Sequence, residues 1–285
     1  MGYTNLKEML ADAKKNGYAV GAFNIVDYTT MAAVIKAAEN KKSPIIIQTS
    51  AKTVSLYGYQ PIVAWVKTLA ADSTVPVALH LDHCKDLNMI KNCIEAGWSS
   101  VMIDASSLPL EENIELTKKV VAMAKPKNVT VEGELGVIAG VEDDIFVKDS
   151  HSYLADPDIC VKYVNATGVD VLAPAIGTAH GVYRKQPNIN FDLLSEIARR
   201  VDIPLAIHGG TGLSEEILKK CIAKGGSKIN VSTELKHIFR NSIEEYYKAN
   251  PDDYEPVKMI KYVEQKIIRR IESFIDIFGS TNRAF

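Results

Sequence analysis

Short apolar runs rich in β-branched residues recur along the chain, separated by longer stretches whose apolar positions fall three or four residues apart. The short runs have the pattern of strands buried on both faces, and the longer stretches have the period of helices that bury one face. Strands are therefore expected at 18–24, 43–50, 75–79, 99–104, 128–134, 169–176, 203–208 and 227–231. Helices are expected between them. The first carries Leu6, Met9, Leu10 and Ala13 on one face, with Thr4 as cap and Gly17 as stop, and 29–42 and 58–71 follow. Asp86 caps the next, which runs through Leu87, Ile90 and Ile94 to Gly97, and Leu110, Ile114, Thr117, Val120 and Val121 mark another. Further helical patterns cover 157–168 and the stretch through Phe191, Leu194, Ile197 and Val201. Ser214 caps one whose Glu215 and Glu216 suit the positive end of the helix dipole. Two more, 233–249 and 255–278, close the chain on either side of the break Asn250-Pro251-Asp252-Asp253.

Eight strand–helix units at a period of about 25–30 residues predict an α/β fold, a parallel (β/α)8 TIM barrel with extra C-terminal helices, built from residues 1–285 as a single domain. A doubly wound open sheet competes, but no Gly-x-Gly-x-x-Gly follows the first strand, which weakens a dinucleotide-binding version. One polar segment, 136–153, interrupts the pattern, with Glu142, Asp143 and Asp144 at its middle; a loop of that length is more often functional than a plain connection.

Composition narrows the function classes. The 285 residues are 47% hydrophobic and 24% charged, with a net charge of −2, and carry no basic footprint for nucleic acid. No basic, apolar N-terminal segment resembles a signal peptide, and no apolar run approaches the length of a membrane span. Cys84, Cys93, Cys160 and Cys221 lack the CxxC spacing of zinc or redox motifs, so a reduced, cytoplasmic setting is expected.

In such a barrel, chemistry belongs at the C-terminal ends of the strands. The third strand leaves its apolar run through Leu79-His80-Leu81-Asp82-His83, the fifth ends in Glu132-Gly133-Glu134, the sixth leads to Gly177-Thr178-Ala179-His180-Gly181, and the seventh ends in His208-Gly209-Gly210-Thr211-Gly212. Three of the six histidines, His83, His180 and His208, thus fall at strand exits on one rim, whereas His151 and His237 do not, and His80 lies inside. A catalytic zinc takes three protein ligands and keeps one position open, which these histidines would satisfy. Taken singly, each also reads as a surface or hydrogen-bonded residue. The glycines after His208 and the segment Asn230-Val231-Ser232-Thr233 present backbone N–H groups and helix N-termini, the makings of a phosphate cradle. A metal beside a phosphate site suggests a small phosphorylated substrate whose carbonyl the metal polarises.

These segments, together with Ala22-Phe23-Asn24, Val101-Met102-Ile103-Asp104, Gly133-Glu134-Leu135-Gly136, Ile229-Asn230-Val231 and Phe278-Gly279-Ser280, resemble the metal-dependent class II ketose-bisphosphate aldolases of the fructose and tagatose kind nearly end to end. The resemblance implies that His83, His180 and His208 hold Zn2+, with Glu134 as outer or alternate ligand, and that the metal polarises the carbonyl of dihydroxyacetone phosphate and stabilises its enediolate. It implies Asp82 as the proton carrier on the aldehyde oxygen and Glu142 as the carboxylate for the carbon-bound proton. Gly181, Gly209, Gly210, Thr211, Asn230, Val231, Ser232 and Thr233 would cradle phosphate and enediolate. Backbone carbonyls near Gly181 and Gly209 would hold a monovalent cation, Na+ or K+. Asn24 and Ser50 match positions near the distal phosphate. Arg269 and Arg270 read either as reaching that phosphate across a subunit contact or as an exposed helix face.

Cys84 stands where many relatives have glycine, and Ser232 where some fructose-specific members carry Asp and tagatose-type members a small residue, while Val182-Tyr183 and Thr233-Glu234-Leu235-Lys236 lean towards the tagatose type. Expected partners are a ketose bisphosphate and dihydroxyacetone phosphate, not nucleic acid or membrane. A homodimer or homotetramer is implied, and the stripe Ile260, Val263, Ile267, Ile271, Phe274 reads as core or as a face for a partner. Two rivals stand beside the aldolase: a zinc hydrolase, although 23–25 lacks the His-x-His of the usual barrel hydrolases, and a non-catalytic sugar-phosphate-binding subunit.

Overall fold

The structure is a computed structural model that describes residues 2–142, 145–147, 153–181, 183 and 187–284, with the side chains of 139, 141, 142 and 145–147 outside the description. Eight parallel strands form a closed ring: β1 (Val20–Asn24), β2 (Ile45–Thr49), β3 (Pro76–Cys84), β4 (Ser100–Ile103), β5 (Thr130–Leu135), β6 (Val171–Pro174), β7 (Leu205–Ile207) and β8 (Gly226–Val231). Each pairs with the next in sequence, and β8 pairs with β1 through Asn230 opposite Ala22, so the ring has no open edge. This is the predicted TIM barrel rather than an open sheet.

Strand alternation sorts side chains between two environments. Odd-numbered residues such as Ile45, Ile47, Leu79, Val101 and Ile229 point outward and pack under the helices, against Val34, Ile62, Ile94, Ile197 and Ile271. Val20, Ala22, Ile46, Ala78, Val171, Ala173 and Ala206, which alternate with the outward residues of their strands, form a separate buried cluster with Leu6, Met9, Leu10 and Ala13 of the first helix, Leu6–Asn16. That helix therefore plugs the N-terminal mouth, which explains its apolar face.

The helical reading needs four adjustments. Asn5, not Thr4, caps the first helix, because the Thr4 N–H is taken by the Val77 carbonyl as Gly2–Tyr3 adds a short parallel strand beside Pro76–Val77. Gly58 ends one helix, Ala51–Tyr57, and starts another, Tyr59–Ala70, where one helix is predicted. Part of 136–153 is not loop: Ala139–Glu142 pairs antiparallel with Ile145–Val147 and parallel with Ala179–His180. In the last helix, Pro256–Phe278, the residues Val263, Ile267, Ile271 and Phe274 are core, while Ile260 is 39% exposed. Among the described residues no helix is long and apolar enough to cross a membrane.

Candidate active site

Consecutive residues of a regular strand face opposite ways, yet Asp82 and His83 both serve the rim. The register with β4 supplies the reason: Leu81 pairs with Val101 and Cys84 with Ile103, so two residues of β3 oppose one of β4. His83 takes up the slack in the left-handed region, at φ 44°. A bulge of this kind re-aims a side chain, and a non-glycine residue held at positive φ stores strain that the surrounding structure must enforce.

His83, His180 and His208 converge, each offering one ring nitrogen so that all three nitrogens lie within 4.8 Å of one another. The ring centroids are 4.6 Å apart for His83–His208, 4.8 Å for His83–His180 and 5.9 Å for His180–His208. Carboxylates stand at the outer side of two rings: Asp104 Oδ2 is 3.4 Å from His83 Nδ1, and Glu132 Oε1 accepts from His208 Nε2 at 2.8 Å. This is the arrangement by which outer carboxylates fix imidazole tautomer and direction at metal centres. Glu134 Oε2 stands 3.3 Å from His208 Nδ1, beside the cluster. The donor chemistry and spacing therefore fit a zinc-type ion.

Burial and neighbouring charges together set the charge states. Burial, reinforced by neighbouring His83 and His208, keeps His180 well below the ordinary imidazole value, so it is neutral. His80 is pushed down to about 3 by burial and by Lys228. Burial also opposes the charge on His208, but its hydrogen bonds to Glu132 and Glu134 lift it to about 9.

Asp82 is buried and doubly held. Asn24 Nδ2 donates to its Oδ2 at 2.9 Å and Asn230 Nδ2 to its Oδ1 at 3.2 Å, while Gln48 Nε2 donates to Asn24 Oδ1 at 2.8 Å and fixes the Asn24 amide. Burial pushes the Asp82 carboxyl up, and His83 and Lys228 more than compensate, holding it below the usual range. The Asn24 amide, linked by resemblance to the distal phosphate, is thus engaged with Asp82. Ser50 caps Ala51–Tyr57, its hydroxyl accepting from the Thr53 N–H at 3.4 Å.

Next to the imidazoles lie the glycine-rich turns. Gly209 has φ 71°, and a Cβ there would sit 2.3 Å from the Ala179 carbonyl oxygen, so only glycine lets the turn after β7 approach the turn after β6. Tyr183 joins the same two turns: its hydroxyl donates to the Gly209 carbonyl at 2.8 Å and accepts from the Ala179 N–H at 2.9 Å. Gly210 N–H donates to the Asn230 carbonyl at 3.0 Å. The Thr178 and Ser232 hydroxyls and Asn230 Oδ1 are buried without a hydrogen-bond partner among the described residues. Buried polar atoms are rarely left so, and a cluster of them indicates a polar ligand. Thr211 Oγ1 accepts from the Glu234 N–H at 3.4 Å at the start of Thr233–Ala249, where Ser232 makes no side-chain cap.

Other expected residues fall elsewhere. The backbone of Glu142 lies in the strand Ala139–Glu142, and its side chain is outside the described residues. Arg270 Nε pairs with Glu234 Oε1 at 2.5 Å on a partly exposed face of its helix. Sequence reading missed Gln48, Asp104, Glu132, Tyr183 and Lys228 as site residues. The available signal was period two: Gln48, Glu132 and Lys228 are polar interruptions at inward positions of otherwise apolar strands.

A closed parallel barrel with converging imidazoles and a held carboxylate at its C-terminal rim defines the layout of a barrel enzyme. The family model described as class II fructose-bisphosphate aldolase matches residues 4–283. The chain is 41% identical over 288 residues to a probable fructose-bisphosphate aldolase of Bacillus subtilis, covering all of both chains. It is 39% identical to a sulfofructosephosphate aldolase of Alkalicoccus urumqiensis, over 100% of this chain and 99% of that one. The crystal structure of the YdjI aldolase from Escherichia coli K12 superposes with a TM-score of 0.88 at 33% identity, covering 99% of this chain and 100% of that one. The chain belongs to the class II fructose-bisphosphate aldolase family, and is therefore a lyase of carbohydrate metabolism acting on a sugar phosphate.

Proposed function

We propose that residues 1–285, acting as one barrel domain, catalyse reversible cleavage of fructose or tagatose 1,6-bisphosphate to dihydroxyacetone phosphate and glyceraldehyde 3-phosphate. The observation that carries this reading is the convergence of three imidazole nitrogens within 4.8 Å beside Asp82. The buried, unpartnered Thr178, Ser232 and Asn230 oxygens next to them support a phosphorylated ligand. His83, His180 and His208 would hold zinc, with Glu134 in reach of the same place. When bound, the ion supplies a Lewis acid for the ketose carbonyl.

The chain's own residues do the rest. In cleavage, the Asp82 carboxylate takes the proton of the C4 hydroxyl as the C3–C4 bond breaks, and the bonding electrons pass into the enediolate of the departing three-carbon ketose phosphate. Asn24 and Asn230 keep Asp82 aimed and ionised for that step. Glu142 returns a proton to C3, and the same groups act in reverse for condensation. The turns at 177–181, 209–212 and 230–233 hold phosphate through backbone N–H groups and the Thr211 and Ser232 hydroxyls, and carbonyls near Gly181 and Gly209 offer a monovalent cation a seat.

The deciding experiment compares turnover of fructose 1,6-bisphosphate, tagatose 1,6-bisphosphate and sulfofructose phosphate side by side. Preferred cleavage of either bisphosphate supports the proposal. Preference for the sulfonated sugar would reassign the substrate, and inactivity on all three would favour a binding subunit.

A further inference from the structure

Below the three imidazoles the barrel interior holds titratable groups that the proposed chemistry does not use. Lys228 on β8, Glu132 on β5 and His80 on β3 are wholly inaccessible to solvent. Lys228 Nζ forms an ion pair with Glu132 Oε2 at 2.8 Å, and Glu132 Oε1 accepts the His208 Nε2 proton at 2.8 Å. His80 Nε2 stands 3.8 Å from Glu132 Oε2, while its Nδ1 is tied to Ser100 Oγ at 2.7 Å. Burying an ammonium and a carboxylate is costly, and apolar side chains of similar volume often stabilise a fold at least as well. Stability alone therefore gives no reason to keep this pair. Its place in the barrel does, because Glu132 is the group that orients His208.

We propose that Lys228 is a positioning residue for the metal centre: it anchors the Glu132 carboxylate so that Oε1 receives the Nε2 proton of His208, which leaves Nδ1 as the nitrogen offered to an ion. The inference rests on the reading of His83, His180 and His208 as metal ligands. β8 then supports both halves of the site from alternate inward positions. Lys228 acts on His208 through Glu132, and Asn230, two residues further on, acts on Asp82 directly. Outer partners of metal-bound histidines typically change metal affinity about 10–100-fold when removed.

The test is zinc affinity, measured by competition with a chromophoric chelator on metal-stripped protein, for the native chain, Lys228→Met, Glu132→Gln and the double variant. Thermal melting of each metal-free protein checks folding. Lys228→Met should bind zinc about 10–100-fold more weakly. Glu132→Gln, which strands the ammonium beside His208, should also be weakened. The double variant carries no unmatched charge, and its amide oxygen still accepts the Nε2 proton, so it should regain most of the loss. Native affinity in Lys228→Met, or a double variant weaker than either single, would overturn the inference. If Lys228→Met does not fold, the double variant must still bind zinc more tightly than Glu132→Gln, and weaker binding overturns it equally. A native chain that takes up no zinc overturns the ligand assignment and this inference together, whereas tight native binding with an unaffected Lys228→Met overturns the inference alone.

Discussion

At the N-terminal end of the barrel, β1, β2, β3 and β6 turn Val20, Ala22, Ile46, Ala78, Val171 and Ala173 toward the plug helix. One or two pleats further along, β1 to β3 turn Asn24, Gln48, His80 and Asp82 inward instead, all of them buried. The lower layer obeys every packing rule: apolar, closed and free of charge. The upper layer departs from them, with a bulged His83 at φ 44°, a buried Lys228–Glu132 pair and hydroxyls that lack partners. The difference teaches that stability and chemistry are built on the same strands but in separate layers. A change in one layer should therefore leave the other's measurable property intact.

The largest expected effect is in the upper layer. Asp82→Ala should lower kcat about 10²–10⁴-fold while zinc content, read by atomic absorption, stays at the native level. Loss of zinc together with rate would mean that Asp82 holds the metal site rather than moving a proton. The matching change below is Leu10→Ala in the plug helix. It should destabilise the fold by about 2–5 kcal/mol in urea titration, with kcat per folded molecule unchanged well below the transition. A large fall in kcat at full folding would erase the division between layers.

Gly140 tests whether the hairpin that carries Glu142 is part of the upper layer. Its φ is 113°, and a Cβ there would lie 2.1 Å from the His180 carbonyl oxygen. Gly140→Ala should push the hairpin off the His180 strand, and a misplacement of about 1 Å is enough to lower kcat roughly 10²-fold. An unchanged kcat would show that this docking does not matter for turnover. The smallest effect is expected of Tyr183→Phe, which removes two hydrogen bonds between the turns after β6 and β7. At about 0.5–1.5 kcal/mol each, the loss should appear as a raised KM for the phosphorylated substrate with little change in melting temperature.

The layers also differ in how far the sequence announces them. The outward β-branched residues and the helical stripes fix the barrel because their period is local. His83, His180 and His208 are legible because each follows a strand exit, where a parallel barrel concentrates its chemistry. Lys228 in Ser227-Lys228-Ile229-Asn230 and Glu132 in Val131-Glu132-Gly133 carry only the weaker period-two signal, since a charged residue alternating with apolar ones normally marks a solvent-facing side. Closure of the ring turns those positions inward, and closure is not a local property. The same holds for the pairing of 139–142 with Ala179–His180, whose partners lie some forty residues apart in a glycine-containing polar stretch.

The central claim is that three distant imidazoles grip one ion needed for carbon–carbon cleavage. Its most direct test is to strip the protein with a chelator, verify the absence of metal, and titrate zinc back while following bisphosphate cleavage in the native chain and in His83→Ala. Activity should vanish on stripping and return in proportion to added zinc until one ion per chain is bound, and His83→Ala should neither retain the ion nor recover. Full activity in verified metal-free protein, or normal zinc uptake and turnover in His83→Ala, would contradict the account.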